Sequence, residues 1–193
     1  MFAVYGMVNE ALKSFLIEEF GRAVWEDVRA KAGVEADLFL SMKAYPDSIT
    51  YGLAGAACAA TGIQLGELLQ RFGRSWVRFV RGGGYEELLR VSGGTVFELL
   101  ANLDTLHARL ATSFPELQPP AFRLEAPASQ DEPHQLHYYS ERPGLAPFVV
   151  GLIEGVGDMY GRQVRIELVE PRDDEGGHDV FAVELVVVAS ANG

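Results

Sequence analysis

The chain changes character at Pro119-Pro120. Two successive prolines neither continue a helix nor donate to a sheet, so whatever precedes and follows them must be built separately. Ahead of the pair, apolar residues recur at helical spacing, and helices are expected over residues 4–20, 23–32, 47–62, 65–72, 75–81, 86–91 and 97–110. Asp47 is a candidate N-cap, and Gly82-Gly83-Gly84 and Ser92-Gly93-Gly94 are breaks. Behind the pair, residues 121–124, 135–140, 163–169 and 180–188 read as strands and 145–160 as a helix. Strand, strand, helix, strand, strand predicts an antiparallel sheet packed by helices. The fold class is therefore α+β: a helical N-terminal lobe over about residues 1–64 and a C-terminal α+β lobe over about 65–193, with a four-stranded sheet. At 193 residues this is one domain with a substantial core, without internal repeat or long linker.

Charge and composition exclude several classes. A formal net charge of −11 opposes nucleic acid and anionic membrane surfaces, since neutralising phosphates requires a basic face. The apolar stretch 53–63 is well short of the roughly 20 residues that span a bilayer. The N-terminus has no basic region before its apolar start and is interrupted by Glu10, so no secretory signal is expected. Cys58 is the sole cysteine, which rules out an intramolecular disulfide and suits a reducing cytoplasm.

Chemistry-bearing residues fall in two places. In His137-Tyr-Tyr-Ser-Glu-Arg-Pro-Gly144, alternation on a strand puts Tyr138, Ser140 and Arg142 on one face. Two hydroxyls and a planar guanidinium make a grip for carboxylates, although a solvated strand face explains the same pattern. Upstream, Leu99, Leu103, Leu106 and Leu110 recur at helical spacing, and His107 lies one turn from Leu103. On its own, such a histidine is more often a hydrogen-bonded core residue than a ligand. Asp104, His107 and Ser140 supply the residue types of a hydrolase triad, but Ser140 is in no nucleophile elbow and Asp104 is simply one turn before His107. The run Asp173-Asp-Glu-Gly-Gly-His178-Asp179 reads as a solvated hairpin loop rather than a metal site. His134 and His137 face opposite sides of a strand, which is poor for chelation.

Taken in order, Tyr5-Gly-Met-Val-Asn-Glu-Ala-Leu12, Trp76-Val77, His107, Pro119-Pro120 and Tyr138-x-Ser140-x-Arg142 resemble the heme nitric oxide/oxygen-binding (H-NOX) family, the sensor domain of soluble guanylate cyclases and of bacterial stand-alone proteins. The resemblance covers essentially the whole chain, as a single domain. It implies heme b held between the lobes, with His107 as the axial iron ligand and Tyr138, Ser140 and Arg142 on the propionates. Arg142 then supplies positive charge for a dianionic cofactor in an acidic protein. Pro120 matches the proline that bends the family's heme, while Pro119 is equally well a simple connector. The distal tyrosine of oxygen-binding members falls by count at Pro147, which cannot donate. Its two companion polar positions appear as Leu12 and Trp76 and, with Val8, Phe148 and Leu152, predict an apolar distal pocket. Nitric oxide is expected at ferrous iron and carbon monoxide more weakly, with oxygen excluded. The cysteine-rich zinc cluster of some members has no counterpart near this C-terminus.

The resemblance implies that nitric oxide weakens or ruptures the iron–His107 bond and that a separate partner reads the change. Stand-alone relatives typically regulate a histidine kinase or a cyclic-dinucleotide enzyme. The chain ends soon after the last strand, which favours the bacterial stand-alone type in the cytoplasm. Two rivals stay open from the residues alone: a heme enzyme such as a peroxidase, and a cofactor-free ligand-binding module of the same fold.

Overall fold

The helical and strand-forming parts of the chain share one long helix. The computed structural model describes residues 3–35, 37–112, 118–129, 132–173 and 177–186. A short strand β1 (Ala3–Tyr5) leads into α1 (Gly6–Phe20) and α2 (Arg22–Lys31), and β2 (Ala44–Pro46) returns antiparallel beside β1. Then follow α3 (Asp47–Thr61) and α4 (Leu65–Val80), a glycine-rich kink (Arg81–Tyr85) with Gly84 at φ 93°, α5 (Glu86–Ser92), α6 (Val96–Ala101) and α7 (Leu103–Ala111). The C-terminal part adds β3 (Ala121–Glu125), β4 (His134–Tyr139), α8 (Ala146–Met159), β5 (Val164–Glu170) and β6 (Asp179–Leu185). These last four strands form an antiparallel sheet in the order β3-β4-β6-β5. The architecture is the expected α+β, with a four-stranded antiparallel sheet.

Four local expectations differ. The first residues of the predicted 4–20 helix are strand β1, because the chain there pairs with β2 and crosses close to Leu40: a side-chain carbon on Gly6 would lie 2.2 Å from the Leu40 carbonyl oxygen. The predicted pieces 65–72 and 75–81 are one helix, α4. Gly73 does not break it but lets the backbone of α8 approach, since a Cβ there would sit 2.2 Å from the Phe148 carbonyl oxygen. The predicted 97–110 helix is broken at Asn102 (φ −102°, ψ 6°), whose Nδ2 donates to the Ser92 carbonyl at 2.9 Å and holds the kink between α6 and α7. The last strand is Asp179–Leu185 rather than 180–188, and residues 187 and 188 lie outside the described residues.

Two apolar clusters form the core. One gathers Leu12, Phe15, Leu16, Trp25 and Leu53 from α1, α2 and α3; the other gathers Leu99, Leu100, Leu136, Ile153 and Phe181 from α6, α8 and the sheet. Each such side chain contributes about 1.5–3 kcal/mol when withdrawn from water. Helix α4 belongs to both, with Leu68 and Phe72 in the first cluster and Val77 in the second. It is clasped to α8 along a glycine seam: Cβ atoms on Gly151 and Gly155 would lie 1.8 Å from the Gln70 and 2.9 Å from the Arg74 carbonyl oxygens. Arg74 pairs with Asp158 through two hydrogen bonds of 2.6 and 2.8 Å, and Gln70 Nε2 donates to Glu154 at 2.9 Å. Among the described residues no single helix is long and apolar enough to cross a membrane.

Candidate functional site

Between the two clusters lies a predominantly apolar cavity of about 300 Å³, within the range that buries a sizeable organic ligand. Its walls come from α1 (Val8, Leu12), α3 (Thr50, Tyr51), α4 (Leu68, Phe72, Trp76), α7 (His107, Leu110), the 118–122 segment and the start of α8. Polar groups enter it at two edges.

At one edge stands His107. Its Nδ1 lies 3.1 Å from the Pro120 carbonyl oxygen. A carbonyl only accepts, so Nδ1 carries the proton and Nε2 keeps its lone pair. Burial pushes the imidazole pKa below its ordinary value, against the opposing pull of the Pro120 bond and Asp104, and so favours the neutral ring. A neutral imidazole whose second nitrogen is tied to a backbone carbonyl is the arrangement in which histidine binds a transition metal. One turn earlier, Asp104 accepts the Phe122 backbone N–H at 2.8 Å. Helix α7 is thus fastened to the head of β3 by two side chains.

At the other edge are Tyr138, Ser140 and Arg142, all lining the cavity. Only Tyr138 is on β4; the strand ends at Tyr139, and Ser140 and Arg142 lie in the turn that follows. They converge because the turn is closed by Ser140 Oγ accepting the Arg142 backbone N–H at 3.1 Å, not because they share a strand face. The Tyr138 hydroxyl is buried, which raises its pKa against the effect of its hydrogen bond with Ser140, so it remains a donor.

Arg142, expected to supply positive charge for a dianionic cofactor, is itself already paired with a carboxylate. Its Nε donates to Asp47 Oδ2 at 3.0 Å and its Nη1 to the Gln118 carbonyl at 3.2 Å. The Arg142 and Asp47 side chains are only 16% and 12% exposed, so the pair is nearly neutral and largely out of water. Asp47 is the first residue of α3 and makes no side-chain cap; its second oxygen, Oδ1, is buried without a hydrogen-bond partner. This ion pair joins residues 95 apart in the chain and so ties the start of α3 to the β4–α8 turn.

Pro119 and Pro120 both line the cavity, as do Val8, Leu12, Trp76, Phe148 and Leu152. Pro147 does not. It occupies the first turn of α8 beside Gly66 of α4, and the side chains that α8 sends to the cavity are Leu145 at its N-cap, Phe148, Val149 and Leu152. Residue counting through the 143–145 turn does not carry the phase of α8, and on this helix it is Phe148, with no polar atom, that lines the cavity beside that position. Trp76 is held by aromatic contacts, stacked on Phe79 at 6.1 Å and edge-on to Phe72 at 6.4 Å. Tyr5 and the half-exposed Tyr51 also line the cavity and were not singled out from the sequence as site residues.

The other histidines are elsewhere. His134 stacks on Phe97 at 3.7 Å, and His137 contacts His178 on the opposite face of the sheet. Among the described residues no group of three or more His, Cys, Asp or Glu side chains is arranged to hold a metal ion. The donor set of the cavity suits a metal carried in an organic ring with acidic groups: one imidazole lone pair, apolar walls, and a guanidinium with two hydroxyls on the same cavity.

Comparison with known proteins agrees with that geometry. A haem-NO-binding family model matches residues 5–168. Soluble guanylate cyclase gcy-31 of Caenorhabditis elegans is 30% identical over 172 residues, which is 89% of this chain and 24% of that protein. The soluble guanylate cyclase subunit beta-2 of Rattus norvegicus is 38% identical over 123 residues, 62% of this chain and 18% of that subunit. The chain thus spans about a quarter or less of these relatives' length. In fold it is similar to an H-NOX protein from S. oneidensis in the Fe(II)NO ligation state, with a TM-score of 0.83 at 16% identity, covering 95% of this chain and 99% of that one. The Fe(II) unliganded H-NOX protein from K. algicida gives 0.79 at 18% identity, with 95% and 97% coverage. The chain belongs to the haem-NO-binding family of heme-based gas sensors.

Proposed function

We propose that the cavity holds heme b, with His107 as the axial iron ligand and Tyr138, Ser140 and Arg142 on the propionates, and that the protein senses nitric oxide. The observation that carries this reading is the His107 imidazole: half-buried, neutral, tied through Nδ1 to the Pro120 carbonyl, and lining an apolar cavity with its Nε2 lone pair uncommitted to that bond. Bound heme would supply a ferrous iron able to take nitric oxide or, more weakly, carbon monoxide, and His107 would hold that iron and respond to the change in its ligation. The residues do the rest. Pro120 presses a rigid ring on the cofactor face while its carbonyl orients His107. Val8, Leu12, Phe72, Phe148 and Leu152 exclude water and offer bound oxygen no hydrogen bond, which disfavours oxygen. His107 and Asp104 tie α7 to the 120–122 segment, so a change in what His107 holds would be passed to the head of β3 and could shift α7 and the lobes relative to each other. The lobes divide at α4, which serves both cores.

The protein acts as a sensor rather than an enzyme and passes the change to a separate cytoplasmic signalling protein, such as a histidine kinase or a cyclic-dinucleotide enzyme. Nucleic acid and membrane play no part. The test is the absorption spectrum of the dithionite-reduced protein before and after nitric oxide. A protein that stays colourless after heme supplementation would refute heme binding, and a stable complex in air would refute oxygen exclusion. For the axial role, His107→Gly should lose ferrous heme and regain it with added imidazole.

A further inference from the structure

The acidic connection between β5 and β6, read from the sequence as a solvated loop, is fastened to the strand that carries Tyr138. At its far end His178 brings Nε2 to 2.8 Å from Nδ1 of His137 on β4. Nearer its start, Arg172 Nη1 donates to the Ser140 carbonyl at 2.7 Å, and the Arg172 backbone N–H donates to Asp179 Oδ1 at 2.9 Å. The ring of Tyr139 stacks on His178 at 4.2 Å and fixes its plane. His137 is 9% exposed, and its other nitrogen, Nε2, has no hydrogen bond; Glu125 Oε2 lies 3.5 Å away.

An imidazole pair at this distance needs one N–H and one lone pair between the rings. Two imidazolium rings would present N–H to N–H, losing the bond and setting like charges face to face. The surrounding charges do not remove that conflict. Glu125 on β3 stands beside His137 and can offset one positive charge, but it is itself paired with Arg123 at 2.8 Å. On the connection and β6, Asp173 accepts the Gly177 backbone N–H, Asp179 accepts that of Arg172, and Arg172 adds a further positive charge.

We propose that His137 and His178 form a proton-sensitive latch. It is closed while the rings share a hydrogen bond and opens when both are protonated, freeing the end of the β5–β6 connection from β4 and loosening the hold of Arg172 on Ser140. The latch does not depend on what fills the cavity; only its consequence for the Ser140 clamp rests on the heme reading.

Two measurements on the full chain test it. Imidazole nitrogen NMR at about pH 7.5 should show a hydrogen-bonded N–H between the two rings that is lost on acidification to about pH 5. Hydrogen exchange at residues 177–180 should rise at least about tenfold over that interval after correction for intrinsic rates, and His178→Gln, which keeps a donor but cannot titrate, should abolish the rise. Rings that titrate without a shared hydrogen bond, or an equal rise in His178→Gln, would overturn the latch. In heme-loaded protein the same acidification should speed cofactor loss in wild type more than in His178→Gln. Equal loss with an intact loop response would refute the coupling of the latch to the Ser140 clamp, whereas a protein that takes up no heme but keeps the loop response would place the failure in the heme reading alone.

Discussion

Replacing Asp47 by Asn keeps the shape of the side chain and removes the charge that faces Arg142. Two unit charges about 4 Å apart in a medium of effective dielectric about 20 attract by about 4 kcal/mol, most of which is offset by the cost of taking both out of water. Removing one partner is worse than removing both, because the guanidinium stays largely buried after the carboxylate facing its Nε is gone. Asn still accepts the Nε–H, and residual exposure lets water reach the site, so the loss should be about 1–3 kcal/mol rather than the larger cost of a fully sealed pair. A further few tenths of a kcal/mol follows from removing a negative charge at the first residue of α3, close to the positive end of the helix dipole. For a chain of this size, where each kcal/mol is worth about 2–4 °C, the sum lowers Tm by about 3–14 °C. The assay is urea unfolding of the heme-free protein for Asp47→Asn, Arg142→Met and the double variant, read as a double-mutant cycle. A coupling energy above about 1 kcal/mol is expected. A coupling below about 0.3 kcal/mol, with each single variant near wild type, would refute the claim that this pair holds the start of α3 to the β4–α8 turn.

Further outcomes follow from other contacts. Gly151→Ala should destabilise by about 2–4 kcal/mol, since the added carbon meets the Gln70 carbonyl rather than a movable side chain; thermal melts check this. Asp104→Ala leaves the Phe122 N–H without its acceptor and should cost about 1–3 kcal/mol in urea unfolding. In the heme-free protein, burial depresses the His107 pKa, so the unfolded chain binds a proton that the folded one refuses. The stability this contributes is present above the unfolded value of about 6.5 and is lost as pH falls below it, and His107→Gln should flatten that slope. Pro120→Ala should relax the bound heme, read as weaker out-of-plane porphyrin modes in resonance Raman spectra, with no change expected in the His107–carbonyl contact.

What the sequence disclosed depended on range. The order of helices and strands was legible because each long element carries its own periodicity, and the antiparallel sheet followed from that order. Three-residue strands such as β1 and β2 have no period to read, and they exist only because distant segments meet. The kink at Asn102 was hidden because leucines continue at helical spacing across it, while the amide that fixes the kink bonds to a carbonyl ten residues back. His107, Tyr138, Ser140 and Arg142 were named as candidates, and the structure gathers them on one cavity. Asp47 was taken for a helix cap: it is an acidic residue at a helix start, and nothing local distinguishes a cap from the partner of an arginine far along the chain. Pro147 was misplaced for a different reason, since residue counting carries through a turn but helix phase does not.

The seam between α4 and α8 separates what can vary from what cannot. At Gly73 and Gly151 backbone meets backbone, so any larger residue must move a helix, and these positions are closed to drift. One residue away on the same two helices, Phe72 and Leu152 face the cavity, where a change of side chain alters the lining and leaves the helix positions alone. Selection can therefore exchange the cavity lining piece by piece on an unchanged chassis, so that the chemistry of the cavity is free to change while the packing that shapes it is not.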